Sequence, residues 1–338
     1  MPLNQLTYWE DFSAGVSVEF GNSIVTTPLV VAFRHEFEPA TIDPVSAAGA
    51  ELSASDWHSC AILMRMMCDD YLMAAAGAGA PGVEHVRWFG TVRPGDVLRA
   101  RRTPVETRAS KSRPRLGIVR MYQEVFNQRG ELVMTWLPIQ LYDRRDPDAE
   151  PPPTVTASEP AMSAPRRSPF AGSLATRSPS FDAINIGDMA DLGSNVFSKE
   201  EMLQYARQFN PQYFHADEAT AINSIYGGLI ASGWHTGAVW NRQVSLYRET
   251  IGKTFNDSKS AGISGPSIAV TDMKWPVPIR PGDRVSFTSR VKAKTVSDEF
   301  PGWGIVTTFN EGVNQRGETV FSLYHHYWVR RWGIQDAG

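Results

Sequence analysis

The chain has 338 residues, of which 42% are hydrophobic and 20% charged, and its formal net charge is −3. This composition predicts a packed globular protein, long enough for two domains of about 150 residues each. It argues against nucleic acid or an anionic membrane as a partner, since both require a basic surface. The polar and aromatic opening segment has no signal-peptide core, and no stretch approaches the roughly 18 apolar residues of a membrane span. We therefore expect a cytoplasmic protein without membrane contact.

In chain order, a short helix is predicted at 27–37 and a long helix at about 57–76. The long helix carries Cys60 and Cys68 in an apolar run. They lie about two helical turns apart, too far to form a disulfide, so we expect buried free thiols. Four alternating β-branched or aromatic runs follow, which indicates antiparallel strands.

Segment 146–180 is rich in Pro, Ser and Ala and almost lacks large apolar residues. Such a segment cannot bury enough surface to fold by itself, so we interpret it as a linker over the surface. This predicts an N-terminal domain at 1–145 and a C-terminal domain at 181–338. The second domain again begins with a short helix, capped by Ser198 with Glu201, and a long helix at about 234–251.

The two halves repeat the same motifs in the same order. The matching pairs are RPGD at 93–96 and 280–283, GIV at 117–119 and 304–306, NQRGE at 127–131 and 314–318, SDWHS at 55–59 with SGWHT at 232–236, and FEPATID at 37–43 with FNPQYFH at 209–215. The first three pairs are each 187 positions apart and the fourth pair 177. The chain is therefore interpreted as a duplicated α+β domain, each copy an antiparallel sheet wrapped around a long central helix.

The second half carries a more specific pattern. FNPQYFHADEA at 209–219, followed by GGLIASGWHTGAV, resembles the MaoC-like dehydratases, also called R-specific enoyl-CoA hydratases. Their pattern is Asp-Pro-Gln-Pro-Phe-His-x-Asp before a Gly-rich run into the central helix. The resemblance covers nearly the whole chain outside the linker and implies a double hotdog fold. It also implies that one half keeps the active site while the other widens the acyl pocket.

The resemblance implies interconversion of a 2-enoyl and a 3-hydroxyacyl thioester of CoA or acyl carrier protein. This chemistry needs a base for water, an acid for the α-carbon and donors for the enolate oxygen. His215 matches the family's catalytic histidine, and Gly233 matches the glycine whose backbone N–H holds the oxyanion. Ser232, Trp234 and His235 belong to the same run and are predicted to contact substrate; for His235 a packed position is the alternative.

Asn210 departs from the pattern, since the family has a catalytic Asp there. An amide can hold water but cannot accept its proton at neutral pH. Three interpretations stay open: His215 acts alone, the asparagine is a substitution that traps ligand, or the fold serves another function. Asp217 is predicted to cap a helix.

The first half has lost the pattern. Glu38, Asp43 and Asp56 stand where the second half has Asn210, His215 and Gly233. A carboxylate at the helix start would repel an oxyanion, so we interpret these three acids as non-catalytic and Asp56 as a helix N-cap. For Met64 and Met67 on the long helix, core packing is the preferred interpretation, and the lining of an acyl tunnel is the alternative.

The basic run 108–115 contains Lys111 and Arg113, which we predict to bind phosphates of CoA or a carrier; a solvated hairpin tip is the alternative. Arg280 and Arg316 are weaker candidates. No metal or nucleotide motif is present, so no cofactor is expected. The rival functions are an impaired acyl-thioester binding or scaffolding protein and a thioesterase. A homodimer of double hotdog chains is a further expectation.

Overall fold

The computed structural model describes residues 6–39, 52–161, 166–170, 176–254 and 261–333. Its helices are α1 (Thr27–Phe37), α2 (Asp56–Asp70), α3 (Lys199–Phe209), α4 (Tyr213–Ala216), α5 (Glu218–Ala221) and α6 (Gly233–Thr254). Its strands are β1 (Val18–Ile24), β2 (Gly77–Trp88), β3 (Val97–Ala109), β4 (Leu116–Phe126), β5 (Leu132–Asp143), β6 (Val155–Thr156), β7 (Thr176–Pro179), β8 (Met189–Val196), β9 (Ala261–Lys274), β10 (Arg284–Val296), β11 (Trp303–Asn314) and β12 (Thr319–Arg330).

The strands of both halves form one antiparallel sheet. Its order is β1-β3-β4-β5-β2-β9-β12-β11-β10-β8, with β6 paired to β3 and β7 to β9. The halves join where β2 pairs with β9, in a register that sets Val86 opposite Val270. Joining the two edges satisfies backbone groups that would otherwise invite aggregation. The predicted continuous sheet is confirmed.

The central helix α2 is buried because its sequence is apolar on nearly every side. From Trp57 to Cys68, every residue except Arg65 is buried. A helix that is hydrophobic all round belongs in a core and not on a surface. Both cysteines are buried and free, as expected, and burial raises the pKa of the Cys68 thiol to about 12.

Tryptophans join the cores of the two halves around the central helices. Trp136 of β5 stacks on Trp234 of α6, with ring centroids 4.3 Å apart and planes 4° from parallel. Trp57 of α2 meets Trp240 of α6 edge-on at 5.4 Å. Such pairs contribute about 0.5–1.5 kcal/mol beyond the area they bury. These contacts fix the first turns of α6, where the functional residues lie.

Three local predictions need correction. Helix α2 ends at Asp70 and not at residue 76, because Asp69 and Asp70 oppose the helix dipole and a Gly-rich segment follows. The N-cap of α2 is Ser55, whose Oγ accepts the His58 N–H at 3.3 Å, and Asp56 is the first helical residue. The edge strands β1 and β8, which precede the helices, were not predicted. The predicted cap of α3 is present: Ser198 Oγ accepts the N–H of Glu201 at 3.2 Å.

The linker segment does not keep to the expected surface course, since it contains β6 and β7 and several buried residues, among them Ser178 and Ser180. Arg167 is buried, and its Nη1 lies 2.6 Å from Asp56 Oδ1 and donates to the Ser267 carbonyl at 3.1 Å. The Arg167 carbonyl accepts the indole N–H of Trp328 at 2.9 Å. This part of 146–180 is therefore packed between the halves at the start of α2.

Candidate active site

The functional loop of the C-terminal half begins where α3 ends. Asn210 is the C-cap of α3, and Pro211 follows it, which stops the helix because proline disfavours helical backbone before it. The short helix α4 then presents His215. Asp217 caps α5 by accepting the N–H of Ala219 at 2.9 Å, as predicted, and has no place in the cavity described below.

His215 is buried and held in one tautomer. Its Nδ1 lies 3.0 Å from the carbonyl oxygen of Ile230, and the N–H of Ile230 in turn donates to the Phe214 carbonyl at 3.1 Å. Since a carbonyl can only accept, Nδ1 carries the proton and Nε2 keeps a lone pair. Burial lowers the pKa of His215 to about 4, although the bond to Ile230 raises it. The side chain is therefore a neutral base at pH 7.

Asn210 is held by two side chains from different halves. Its Nδ2 donates to Ser232 Oγ at 3.0 Å, and the thiol of Cys68 donates to its Oδ1 at 3.5 Å. A hydroxyl can turn to donate or accept. Both partners could therefore donate to a carboxylate at position 210, so these surroundings suit an aspartate as well as the asparagine.

Gly233 is the first residue of α6. The first N–H groups of a helix have no partner within it and carry the positive end of its dipole, which favours an anion there. A Cβ at this position would overlap the indole of Trp275, with 2.7 Å to its Cδ2. Glycine is thus required by the packing of Trp275 across the helix start.

These residues meet at one internal space, which we call the seam cavity. It has a volume of about 390 Å³ and is lined by residues of both halves. The C-terminal half contributes Asn210, His215, Gly233, Trp234 and Arg280. The N-terminal half contributes Met64, Met67, Arg113, Trp136 and Gln140. The catalytic candidates, the two methionines and Arg113 therefore line one cavity at the junction of the halves.

Three predicted site residues lie outside its lining. Ser232 is buried behind Asn210, and Lys111 is exposed on the β3–β4 turn. His235 stacks on Tyr205 at 4.7 Å, and burial, with the positive charge of Arg242, lowers its pKa to about 3. His235 thus takes the packed position that the sequence also indicated for it, and not a place in the cavity lining.

Most of the other lining residues escaped the sequence analysis, and four of them are polar or aromatic side chains close to the predicted ones. Gln212 and Thr236 lie beside predicted residues, while Tyr226 and Trp275 come from a loop and from the end of β9. Thr236 could have been found from its spacing, because it is three residues after Gly233 and residues three apart on a helix lie on the same face. Tyr226 and Trp275 had no such signal, because only the fold brings them to the cavity.

The basic candidates separate into two groups. Arg113 lines the seam cavity and also a neighbouring space of about 430 Å³, the mouth cavity, together with Arg115, Tyr213 and Tyr226. Arg280 lines the seam cavity, but its guanidinium donates to the carbonyls of Tyr226 and Leu229 and so supports the loop. Arg316 binds Asp283 and Glu318 in a turn and lines neither space.

The N-terminal half has no matching arrangement among its described residues. Glu38 accepts from Asn241 Nδ2 at 3.1 Å, and burial raises its pKa although Arg34 lowers it. Asp56 is paired with Arg167. Asp43 lies outside the described residues.

No protein-family model matches the chain. The chain spans 41% of the length of a curated relative, the uncharacterized protein YdeM of Bacillus subtilis (strain 168), with 38% identity over 58 residues, or 17% of this chain. Solved structures match over most of both chains. One described as a MaoC domain dehydratase from Chloroflexus aurantiacus J-10-fl has a TM-score of 0.77 and 16% identity, covering 98% of this chain and 100% of that one.

A Mycobacterium tuberculosis protein described as having a double hotdog fold matches with a TM-score of 0.69 and 15% identity, covering 96% of this chain and 98% of that one. The chain is a double hotdog protein. The peroxisomal multifunctional enzyme type 2 of Drosophila melanogaster matches with a TM-score of 0.55 and 12% identity, covering 92% of this chain and 48% of that one. These likenesses establish the double hotdog fold, which the MaoC resemblance implied.

Two further features hold for the described part of the chain. None of its helices is long and apolar enough to cross a membrane. No three His, Cys, Asp or Glu side chains there lie close enough together to hold a metal ion.

Proposed function

We propose that this double hotdog protein is a hydratase or dehydratase that interconverts 2-enoyl and 3-hydroxyacyl thioesters of CoA or acyl carrier protein at the seam cavity. One observation carries the proposal. The lone pair of His215 Nε2 and the unpaired N–H groups at the start of α6 belong to residues that line the same cavity. Water addition to a conjugated thioester needs a base and an oxyanion donor together.

In the hydration direction, His215 Nε2 takes a proton from water as the water oxygen bonds to the β-carbon. The π electrons of the Cα–Cβ bond move onto the thioester, and the enolate oxygen accepts the N–H of Gly233. The imidazolium of His215 then returns its proton to the α-carbon, and the carbonyl re-forms. Dehydration is the reverse. One histidine thus serves as base and then as acid.

Asn210 orients the water in this scheme and does not take its proton. The amide also lacks the charge through which a carboxylate would raise the pKa of His215. A histidine with a pKa of about 4 is a weaker base at pH 7 than one near neutrality. We therefore expect a slower hydratase than one with an aspartate at position 210.

The residues that line the two cavities support an acyl-thioester substrate. Met64, Met67 and Trp136 offer apolar surface for the acyl chain, and methionine adapts to irregular shapes. Arg113 and Arg115 at the mouth cavity offer cations for the phosphates of CoA or of a carrier's prosthetic arm. Lys111 on the same turn would add a third charge.

A binding or scaffolding protein is the second candidate, and Asn210 favours it. Turnover of crotonyl-CoA and longer enoyl-CoAs separates the functions. Loss of the conjugated-enone absorbance without free thiol supports hydration, thiol release indicates a thioesterase, and binding without turnover indicates a scaffold. The matched control is His35→Ala, because His35 is an exposed histidine on α1 outside both cavities. A homodimer stays a prediction, which sedimentation would test.

A further inference from the structure

A second enclosed space lies within the C-terminal half, and we call it the C-terminal cavity. It has a volume of about 160 Å³ between the last turns of α6 and the strands of that half. Its wall includes Trp240, Val244 and Ile251 of α6 and Leu192 of β8. It shares no lining residue with the seam cavity, so the proposed reaction leaves it unused.

A cation lines this cavity without a matching anion. The guanidinium carbon of Arg248 lies 5.0 Å from the ring centre of Tyr327, and the two side chains are hydrogen-bonded. Within the described residues, no carboxylate forms an ion pair with Arg248. Asp188 also lines the cavity, but its Oδ2 accepts the N–H of Asn185 at 2.7 Å. Burial lowers the pKa of Arg248, although its contact with Tyr327 and the more distant charge of Glu38 raise it.

The equivalent region of the N-terminal half is filled by its own side chains. The hydroxyl of Tyr71 accepts from Gln123 at 3.0 Å and from Gln140 at 3.5 Å. The guanidinium of Arg102 lies 4.2 Å over the Tyr71 ring. The Tyr71 hydroxyl and the Gln123 amide N–H are paired within the half, whereas Arg102 Nε and Gln123 Oε1 are buried without a hydrogen-bond partner among the described residues, and the long Arg102 and Gln123 side chains pack against Tyr71.

The duplication shows what changed in the C-terminal half. At the repeat offsets, Arg248 stands where Tyr71 is, and Tyr327 stands where Gln140 is. Two long side chains became short: Arg102 corresponds to Ser289 and Gln123 to Asn310. The pairing registers agree, since Arg102 lies opposite Gln123 and Ser289 opposite Asn310. The C-terminal half therefore kept an arginine and a tyrosine but lost the volume that closed the space.

The groups around the C-terminal cavity specify the kind of ligand that would fill it. A guanidinium matches a carboxylate through two parallel N–H donors. Ser264 and Asn310 add hydrogen-bonding groups, and Trp240 and Val244 add apolar wall. The volume is close to that of a cavity of about 150 Å³ that binds one benzene molecule. We propose that the C-terminal cavity binds a small monocarboxylate with an apolar body, of the size of benzoate or hexanoate, on Arg248.

The test is calorimetric titration of the full chain with sodium benzoate and, as the uncharged match, benzyl alcohol. We expect saturable benzoate binding that Arg248→Gln weakens tenfold or more, the loss of one charge-assisted contact. Thr308→Met should abolish binding, because Thr308 lines the cavity and its counterpart in the closed half is Met121. Neither variant should change turnover of an accepted enoyl-CoA by more than about twofold, since both residues lie outside the seam cavity.

Three results would overturn the proposal. The first is no saturable benzoate binding to the wild-type protein up to about 10 mM. The second is equal affinity for benzoate and benzyl alcohol, which would remove the role of Arg248. The third is benzoate binding that survives Thr308→Met but is lost in Met64→Trp, which would assign it to the seam cavity. If Arg248→Gln fails to fold, Arg248→Lys and Thr308→Met decide in its place.

Discussion

The two halves differ at the start of their central helices, α2 and α6. At the start of α6, Gly233 lines the seam cavity, and the first N–H groups of a helix have no partner within it. At the start of α2, Asp56 supplies a carboxylate, and the linker residue Arg167 covers it at 2.6 Å. An anion cannot be stabilised where a carboxylate already stands. In the proposed function, this difference at one helix start is what allows an oxyanion to bind in the C-terminal half and not in the N-terminal half.

The N-terminal half still contributes to the candidate site. Met64 and Met67 of α2 line the seam cavity, whereas Asn241, the counterpart of Met64 on α6, donates to Glu38. The two methionines line a space that could hold an acyl group. At the position equivalent to Met64, the hydrogen-bonded pair of Asn241 and Glu38 stands instead. Under the proposed function, the C-terminal half would supply the reacting groups and the N-terminal half an apolar wall.

Replacement of His215 should have the largest effect. His215→Ala should lower the hydration rate by about 10²–10⁴-fold, the usual contribution of a positioned acid–base group. The measurement is the initial rate with crotonyl-CoA, compared with His35→Ala, which should keep the wild-type rate. Equal rates in the two variants would mean that His215 is not the base.

Restoring the carboxylate should sharpen the difference between the halves. Asn210→Asp should raise the hydration rate by about 10²-fold, because the carboxylate can share the proton transfers and Ser232 and Cys68 can both donate to it. The negative charge should also raise the pKa of His215 from about 4, and so move the acid limb of the kcat/KM profile to higher pH. The control is Asn241→Asp, a matched amide on the closed side. An unchanged rate and profile in Asn210→Asp would show that His215 works alone.

The stability of both halves should fall together in acid. His58 and His235 hold equivalent positions, and burial lowers the pKa of each to about 3. An unfolded histidine binds its proton at about 6.5, so stability falls as pH drops below that value. From pH 6.5 to 5, each histidine should cost about 2 kcal/mol of unfolding free energy, offset in part by Glu38, whose raised pKa acts in the opposite direction.

Urea unfolding at these two pH values measures the effect. His58→Gln and His235→Gln should each flatten the dependence by a similar amount, and the exposed His35→Gln should not. A change in only one of the first two variants would mean that the halves do not bury their equivalent histidines alike.

A change in the apolar wall of the seam cavity should have the smallest effect. Met64→Trp should shorten the preferred acyl chain, with about a tenfold loss of kcat/KM for longer enoyl-CoAs relative to crotonyl-CoA, because it fills the seam cavity. Chemical denaturation should show little change in stability. A large loss of stability with unchanged preference would return Met64 to the core.

The fold and the centre of the candidate site could be predicted from the sequence, because short local motifs indicate both. The repeated motifs indicated the duplication, and the motif in the loop before α6 indicated His215 and Gly233 as candidates. Asp56 was misjudged as a cap because Ser55 directly before it has the same capping ability and takes that position. Its ion pair with Arg167, 111 positions away, is a contact that no local pattern predicts. Strand β1 escaped notice because Phe20 is its one buried residue, which leaves no alternation to detect.

The most direct test of the central proposal is the fate of the water oxygen. Wild-type protein would be incubated with crotonyl-CoA in oxygen-18 water, and the products analysed by mass spectrometry. Hydration at the seam cavity predicts label on the β-carbon of an intact 3-hydroxyacyl thioester, and none when His215→Ala replaces the wild type. Label in a free carboxylate, or no labelled product at all, would contradict the account.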